Sequence, residues 1–327
     1  MATAAGAASL PLQELVRYAT LAPSSHNTQC WRFVPCAQAV SILPDLERRC
    51  PVVDPDDHHL FVSLGCAAEN LIQAAAGMGF RGECAFGGAA SEGIEITLTP
   101  VPAVHTPLFE AIPARQSTRC EYDGRPVSNH ELRLLEEAGK GAGVRVLLVT
   151  DRQIMERVLA LVIEGNTAQM RNPDFVRELK QWLRYNGKQA ARLGDGLYVA
   201  CSGNPTAPAW LGSLLFDLFF KPGAENDRYA RHLRSSAGVA VFVSDRDDRE
   251  HWIEAGRAFE RFALQATALG LRTAHLNQPV EVASLRPSLA ETIGAGTGRP
   301  DLVIRFGRGP QMPRSFRRPV TAVLLPS

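Results

Sequence analysis

The sequence lacks several features that would point to particular classes of protein. Its seven cysteines are odd in number, scattered, and include no C-x-x-C pair, which argues against a disulfide framework and against a thiolate metal site. It has no block of five basic residues and a formal net charge of +1, so neither nucleic acid nor an anionic membrane surface is expected as its main partner. These absences favour a reducing cytoplasm.

Long hydrophobic runs and a secretory signal are also missing. No basic residue precedes Arg17 and no sustained apolar region follows, so the first residues are expected to form a frayed tail. The most lipid-like segment, residues 211–220, contains Asp217 and is too short to span a bilayer. We expect no membrane association, and we interpret this segment as a buried helix or a cover over a pocket.

What is present is a globular composition with mixed periodicity. The 327 residues, 45% hydrophobic and 21% charged, suffice for one large or two ordinary domains. Helical periodicity alternates with short apolar runs, which predicts an α+β fold. The predicted helices cover residues 12–20, 60–78, 108–113, 128–140, 151–170, 174–185, 247–269 and 280–293, and the predicted strands cover residues 40–43, 83–86, 93–99, 144–149, 237–243, 271–275, 302–306 and 320–325.

An internal repeat connects the two halves of the chain. Placing residues 58–83 against residues 249–274 aligns two glycines, a glutamate and an arginine at a constant offset, namely Gly65 with Gly256, Glu69 with Glu260, Gly79 with Gly270 and Arg81 with Arg272. Each half thus carries the same central helix, glycine turn and strand. Two stacked copies of one α+β unit would bury both helices against each other.

A polar loop, residues 22–33, separates the first helix from an apolar strand. It reads A-P-S-S-H-N-T-Q-C-W-R-F, and its hydroxyls and amides offer both donors and acceptors beside a proline that restricts the backbone. Such a loop suits a flat ligand with polar edges. It is equally compatible with a helix C-terminus followed by an Asx-type turn.

Two arginine clusters could form a phosphate site. Arg115, Ser117 and Arg119 lie two residues apart, so an extended chain places their side chains on one face, and arginine binds phosphate oxygens through parallel charge-assisted bonds. Residues 314–318 contribute the second cluster. Either cluster alone could be a solvated surface, whereas convergence of the two would favour the phosphate site.

These motifs resemble those of the FMN-dependent nitroreductases. Residues 22–33 are similar to the family segment that lies along the isoalloxazine ring, with Cys30 where the family usually has proline. Residues 115–119 resemble the R-x-S-x-(K/R) phosphate motif of the family. Arg317-Arg318-Pro319 resembles the segment with which the family contacts the phosphate near the C-terminus. Residues 269–278 resemble the L-G-x-x-x-x-P-I-E-G turn, whose backbone N–H faces flavin N5. The resemblance covers nearly the whole chain in pieces and implies a nitroreductase-like fold.

The departures from the family pattern imply an unusual organisation. The first half has the ring segment without R-x-S-x-R, and the second half has R-x-S-x-R with residues 139–143 where a ring segment should stand. The resemblance therefore implies an internal pseudo-dimer with one complete FMN site, as in the fused, monomeric Acg-like branch. We expect a truncated unit at 1–105, a second unit at 106–327, and a lid insertion at about 171–229.

The resemblance also assigns roles to individual residues. It implies ring contacts from the polar loop, phosphate contacts from the arginine clusters, and a backbone N–H of Asn277 at N5. The implied cofactor-binding residues are Pro23, Ser24, Ser25, Asn27, Arg115, Ser117, Arg119, Asn277, Arg317 and Arg318. No side-chain acid or base is needed for hydride transfer itself, and we expect none to be catalytic.

Other constellations give weaker indications. Residues 56–59 (D-D-H-H) could suggest a metal, but neighbouring helical residues point in different directions, and we expect no metal site. Ser25 and His26 are adjacent, which is not the geometry of a nucleophile and its base. Residues 294–298 do not lie between a strand and a helix, so they are not a dinucleotide fingerprint. Cys30 could be a reactive thiol or a small buried hydrophobe.

Three functions are compatible with these features. The first is an oxidoreductase that passes hydride from NAD(P)H through FMN N5 to a small nitroaromatic or quinone acceptor, in alternation. The second is an FMN-binding or sequestering protein whose closed lid prevents turnover. The third, a structural relic without flavin, requires that the arginine clusters do not meet.

Overall fold

The computed structural model describes residues 10–87 and 92–326, which excludes most of the predicted tail. Over those residues the chain forms twelve α-helices and ten strands. The helices are α1 (Leu12–Ala19), α2 (His58–Gly77), α3 (Pro107–Ala111), α4 (Asn129–Ala138), α5 (Arg152–Arg171), α6 (Pro173–Trp182), α7 (Gly187–Leu193), α8 (Ala209–Phe219), α9 (Pro222–Arg234), α10 (Arg249–Ala268), α11 (Gln278–Glu281) and α12 (Arg286–Ile293). The strands are β1 (Trp31–Cys36), β2 (Ala39–Pro44), β3 (Phe80–Phe86), β4 (Ile94–Pro100), β5 (Val144–Val149), β6 (Leu183–Arg184), β7 (Leu197–Tyr198), β8 (Gly238–Ser244), β9 (Arg272–His275) and β10 (Arg299–Gly307).

The predicted α+β class is confirmed, and the two large sheets have the same topology. The first has the order β1-β2-β4-β3 and the second the order β5-β8-β10-β9, with every neighbouring pair antiparallel. In each sheet the strand that follows the central helix, β3 or β9, occupies an edge. The described halves therefore share an architecture as well as a sequence repeat.

The two central helices cross at a pair of glycines that the repeat aligned. A Cβ on Gly65 would overlap the carbonyl oxygen of Ile253, and a Cβ on Gly256 would overlap the carbonyl oxygen of Val62. These contacts are reciprocal at the repeat offset, so the crossing has an approximate two-fold axis. Because the backbones touch, α2 is buried on almost all faces, with Leu64, Ala67 and Leu71 inaccessible to solvent.

Gly256→Val is expected to destabilise the protein by roughly 3 kcal/mol or more, since the helices can separate only by opening a well-packed core. The matched control is Gly223→Ala in α9, where an added Cβ meets no atom within 4 Å. Chemical denaturation monitored by tryptophan fluorescence measures both free energies of unfolding. Equal stability of the two variants would contradict the close crossing.

A long insertion separates β5 from β8, at the position where the first sheet has a two-residue turn between β1 and β2. It comprises α5 to α9 together with the parallel pair β6 and β7. Glu178 of α6 ties it to the first half, because its carboxylate accepts hydrogen bonds from Val52 N (2.9 Å) and Val53 N (3.1 Å). The region that sequence periodicity left irregular is therefore largely helical.

Two predicted elements are wrong. The predicted helix 280–293 is broken, because Val282 is extended and Pro287 lacks the amide hydrogen that a continuous helix needs, so α11, a 3₁₀ turn and α12 replace it. The predicted strand 320–325 is a 3₁₀ turn, Val320–Ala322, followed by one bridge between Leu324 and Phe33. Its apolar pattern arises because Val323 is fully buried beside β1.

Among the described residues, one helix is long and apolar enough to cross a bilayer by length and composition. This helix is α2, and 83% of its most apolar window is buried inside the protein. The helix α8, which overlaps the lipid-like segment seen in the sequence, is apolar but shorter.

Candidate functional site

The polar loop after α1 has a strained backbone held by long-range hydrogen bonds. His26, Asn27 and Gln29 all have positive φ angles near 50°, a region that residues other than glycine seldom occupy. Gln29 Nε2 donates to Gly194 O (2.8 Å), and Asn27 Nδ2 donates to Gly196 O (3.0 Å). The insertion therefore fixes the loop in one conformation.

The two arginine clusters converge on one small pocket beside this loop. The pocket has a volume of about 100 Å³. Its lining includes seven of the predicted site residues, namely Pro23, Ser24, Asn27, Arg115, Ser117, Arg119 and Arg317, together with Arg314. The third hypothesis, a structural relic without flavin, required that the two arginine clusters lie apart, and their convergence argues against it.

Arg115 enters this pocket as half of a buried ion pair. Its Nε lies 3.0 Å from Glu260 Oε1, both side chains are almost wholly buried, and Nη2 donates to Leu21 O (2.9 Å). Burial raises the pKa of Glu260 to about 7, against the lowering effect of Arg115. Arg115 Nη1 has no hydrogen-bond partner. An anion in the pocket would find this donor free.

Arg317 and Arg318 are neighbours in the sequence, but their side chains lie in different places. Arg317 lines the pocket and donates to Thr20 O (2.8 Å) and Asn27 Oδ1 (3.0 Å), and burial followed by the charge of Arg115 lowers its pKa to about 10. The structure does not bring Arg318 to the pocket. Its guanidinium instead donates to Gln29 O and Ala322 O and lies 3.7 Å from Asp45.

Arg119 lies where three cavities meet. It lines the arginine pocket, a second pocket of about 110 Å³ and a chamber of about 580 Å³. Across residues 10–87 and 92–326 its side chain forms no hydrogen bond or ion pair, and burial lowers its pKa. The neighbouring His26 and His275 have pKa values lowered by burial and then by Arg119, to about 4 and about 3. Arg119 is thus a half-buried cation with no acidic partner among these residues.

The second pocket, which we call the ring pocket, joins the two halves of the chain. Pro23, Ser24 and Ser25 form one wall, and Asn277 forms another. Asn277 Oδ1 accepts from Val303 N (2.9 Å), while its own backbone N–H reaches no acceptor in the described part of the chain. Its Nδ2 lies 3.2 Å from His59 Nε2. The bend between β9 and α11 thus leaves this N–H without an acceptor in the described chain.

The chamber lies between the ring pocket and the insertion. Its outer walls are aromatic and aliphatic side chains of α6, α8 and α9, such as Phe175, Leu215, Phe216 and Tyr229. Its inner end is polar and includes Gln169 and Glu281. Helices of the insertion therefore cover an apolar space. The arrangement can hold an anion at one end and an apolar molecule at the other.

The corresponding place in the other half is occupied by an ion-pair network. At the repeat offset, Ser63 and Cys66 of the ring pocket correspond to Glu254 and Arg257. Arg257 Nη1 lies 2.7 Å from Glu254 Oε2. Arg261 completes the network by contacting Glu69 Oε2 (2.8 Å), Glu254 Oε1 (3.0 Å) and the carbonyl oxygen of Lys140 (2.7 Å). Large charged side chains therefore occupy the positions at which the ring pocket has the small side chains of Ser63 and Cys66.

The other constellations have structural explanations. Asp54, His58 and His59 lie together, but Asp54 caps α2 by accepting from the backbone N–H of His59 and Leu60, both at 2.9 Å. His58 Nε2 contacts Asp301 at 3.0 Å. Cys30 is 1% exposed, and burial raises its pKa to about 12, which favours the buried-hydrophobe interpretation.

Two residues of this site could not be recognised in the sequence. Glu260 was visible only as the repeat partner of Glu69, with nothing to indicate that it would meet Arg115 across the molecule. Glu281 follows the N-Q-P-V bend and gave no signal of its own. Both depend on contacts between segments that are far apart in the chain.

Comparison with known proteins supports the resemblance. No family model matches the chain. It is 28% identical over 330 residues to “Putative NAD(P)H nitroreductase Rv3131” of Mycobacterium tuberculosis strain H37Rv, and equally to “Putative NAD(P)H nitroreductase MT3217” of strain CDC 1551. Each match covers 96% of this chain and 90% of the relative. The predicted resemblance to nitroreductases is thereby confirmed.

Solved structures match part of the chain. The FMN-dependent nitroreductase NfnB from Mycobacterium smegmatis, in complex with NADPH, is 14% identical with a TM-score of 0.41. A nitroreductase with bound FMN from Bacteroides fragilis is 15% identical with a TM-score of 0.40. Each match covers 64% of this chain and 94% of the solved chain.

Proposed function

We propose that this chain is an FMN-dependent oxidoreductase of the nitroreductase type, the activity for which its two mycobacterial relatives are named. It would take hydride from NAD(P)H and pass electrons to a small nitroaromatic or quinone acceptor. The observation that carries the proposal is Arg119, a half-buried cation with no acidic partner among the described residues, where the three cavities meet. An unpaired charge that has lost part of its hydration is costly, so its retention is best explained by an anionic ligand.

The arginine pocket fits the phosphate of FMN. Within the described chain, Arg115 Nη1 is a buried donor without a partner, and Arg119 supplies a positive charge that forms no ion pair with a carboxylate. Ser117 adds a hydroxyl to the same wall, and Arg317 adds a positive charge. Charge-assisted hydrogen bonds of this kind hold phosphate strongly. Arg318 is omitted from the proposed site because its contacts lie elsewhere.

The ring pocket fits the flat, polar-edged part of the same cofactor. Pro23, Ser24 and Ser25 would contact the ring from the first half, and Asn27 would hold the loop in place through Gly196 and Arg317. The free backbone N–H of Asn277 would face the ring from the second half. Fixed donors of this kind stabilise negative charge and cost little reorganisation.

Bound FMN would supply two-electron redox chemistry at its N5 atom. The residues of this chain would do the rest. Arg115 and Arg119 would bind and orient the phosphate of FMN. The strained loop would fix the plane of the isoalloxazine ring, and the apolar chamber walls would exclude water from the acceptor.

We further propose that the chain is an internal pseudo-dimer divided near residue 105, with the insertion at about 171–229 as its lid. The shared sheet topology and the reciprocal glycine crossing support this division. The network of Glu69, Glu254, Arg257 and Arg261 fills the counterpart of the ring pocket, so one FMN per chain is expected. A monomeric state and a cytoplasmic location stay predictions.

Anaerobic titration with NADPH and NADH tests the proposal. Rapid bleaching of bound flavin, followed by reoxidation with a nitroaromatic compound or a quinone, is the expected result. Flavin that stays oxidised would support the sequestering function, which the helical cover over the chamber makes the second candidate. NADPH and NADH are titrated in parallel, so that the faster bleaching identifies the nicotinamide that the protein prefers.

A further inference from the structure

Glu281 lies at the boundary between the ring pocket and the chamber, and it lines both. It is the last residue of α11, and its backbone N–H donates to Asn277 O (2.8 Å). The backbone of Glu281 is therefore one helical turn beyond Asn277. A molecule held in the chamber and approaching the ring pocket would meet the carboxyl group of Glu281.

The carboxyl group of Glu281 has no cationic partner among the described residues. Its Oε2 accepts one hydrogen bond, from Gln169 Nε2 of α5 at 2.6 Å, and Oε1 makes none within the described chain. Glu225, the other acidic residue that lines the chamber, is paired with Arg228. Glu281 is thus the acidic side chain of this lining that can hold and release a proton without breaking an ion pair.

The surroundings of Glu281 favour its protonated form. Burial raises its pKa, His59 and the Gln169 bond lower it, and Asp54 raises it. His59 comes from α2 and Asp54 from the loop before α2. The same carboxyl group contributes to the raised pKa of Tyr229 in α9 and of Cys50, both of which face it from other segments.

We propose that Glu281 donates a proton to the acceptor bound in the chamber. This inference rests on the proposed reductase function and assigns the oxidative half of the reaction a side-chain acid, which the sequence did not predict. General acids contribute about 10²- to 10⁴-fold when a buried proton reaches the atom that develops negative charge. The acceptor's oxygen would therefore lie at the polar inner end of the chamber, beside Glu281.

The proton and electron balance is simplest for a quinone. Two electrons and one proton arrive as the hydride that originates from NAD(P)H. The second proton leaves Glu281: its O–H bond breaks, and a new O–H bond forms on the quinone oxygen that carries the negative charge, which gives the hydroquinone. The Glu281 carboxylate then regains a proton from water. The preferred substrate class is thus an uncharged aromatic acceptor whose oxygen needs a proton upon two-electron reduction.

Glu281→Gln separates this role from flavin binding and reduction. With the flavin-loaded protein in stopped flow, bleaching by NADPH is expected to change less than about 3-fold, while reoxidation by a soluble naphthoquinone slows by about 100-fold. In the wild type, reoxidation should slow as the pH rises through the pKa of Glu281, and the variant should lose this dependence. Glu164→Gln, at an exposed carboxylate of α5 outside the chamber lining, should reoxidise like the wild type.

A second measurement does not depend on activity. Infrared titration of the protein as purified should show a carboxylic acid band that persists to a higher pH than that of an ordinary glutamate and is absent in Glu281→Gln. Equal reoxidation rates of Glu281→Gln and wild type, or a Glu281 that titrates like an ordinary glutamate, would overturn the proposal. Reduction with dithionite tests reoxidation even if NAD(P)H fails to bleach the flavin, so failure of the proposed function is recognised separately.

Discussion

Replacing Arg115 with alanine is expected to lower the free energy of unfolding by about 3 to 5 kcal/mol. The change removes the partner of Glu260, whose carboxyl group is fully buried 3.0 Å from Arg115 Nε. An isolated buried carboxylate is destabilising. Among the described residues, Arg317 is the other cation that lowers the pKa of Glu260, and its guanidinium already donates to the main-chain oxygens of Thr20 and Leu21 and to Asn27 Oδ1. Chemical denaturation of the flavin-free protein measures the loss.

The same substitution is expected to weaken FMN binding by roughly 2 to 4 kcal/mol, because a phosphate charge loses a paired donor. The two effects are separated by adding Glu260→Gln, which removes the unpaired carboxylate. The double variant should regain much of the stability and none of the affinity. Arg133→Ala, an exposed arginine of α4, serves as the control and should change neither quantity by more than about 0.5 kcal/mol. Unchanged flavin affinity in Arg115→Ala would contradict the phosphate assignment.

Arg119→Met should affect stability and affinity in opposite directions. Within the described chain Arg119 has no acidic partner, and burial lowers its pKa, so removing the charge should leave the flavin-free protein equally stable or more stable. FMN binding should weaken by roughly 2 to 4 kcal/mol, which corresponds to a dissociation constant about 30- to 1,000-fold higher.

Isothermal titration with FMN, together with denaturation of the flavin-free protein, measures both quantities for Arg119→Met. Methionine keeps most of the side-chain volume, so a loss of affinity cannot be attributed to a cavity. A destabilised flavin-free variant would indicate that Arg119 has a structural role. Unchanged affinity would remove the observation on which the proposed function rests.

Local sequence patterns predicted the long elements well. The strand 144–149 coincides with β5, and the central helices α2 and α10 begin and end close to their predicted limits, because acidic residues precede each helix and a glycine follows it. The repeat also anticipated the glycine crossing, since Gly65 and Gly256 occupy equivalent places. Hydrophobic periodicity and internal repeats therefore predict regular helices and strands and how these pack against each other.

The failures arose where tertiary contacts decide the structure. Residues 320–325 look like a strand because Val323 must be buried, yet their backbone makes only one bridge to β1. The insertion helices that periodicity did not predict, α7 to α9, are short, and they make long-range contacts such as the hydrogen bond that Asn226 Oδ1 of α9 accepts from Asn166 Nδ2 of α5 at 2.7 Å. A sequence window contains none of these partners.

The site itself was predicted in outline. Nine of its ten predicted residues line the connected pockets, whereas Arg318 turns towards Gln29 and Asp45 because its backbone N–H is held by Gln29 Oε1 at 2.8 Å. The motif predicted which residues carry the charge. It could not show that Arg115 is already neutralised by Glu260 and Arg119 is not. That distinction determines the opposite stability effects expected for the two arginines.

The central claim is a single FMN site built from both halves of the chain, with an ion-pair network in place of a second one. The most direct test is to saturate the purified protein with FMN, remove the excess, and count the flavin released per chain. One FMN per chain is the predicted result. Two per chain would contradict the assignment of the Glu69–Arg261 network to a filled site, and none after saturation would contradict the proposed function.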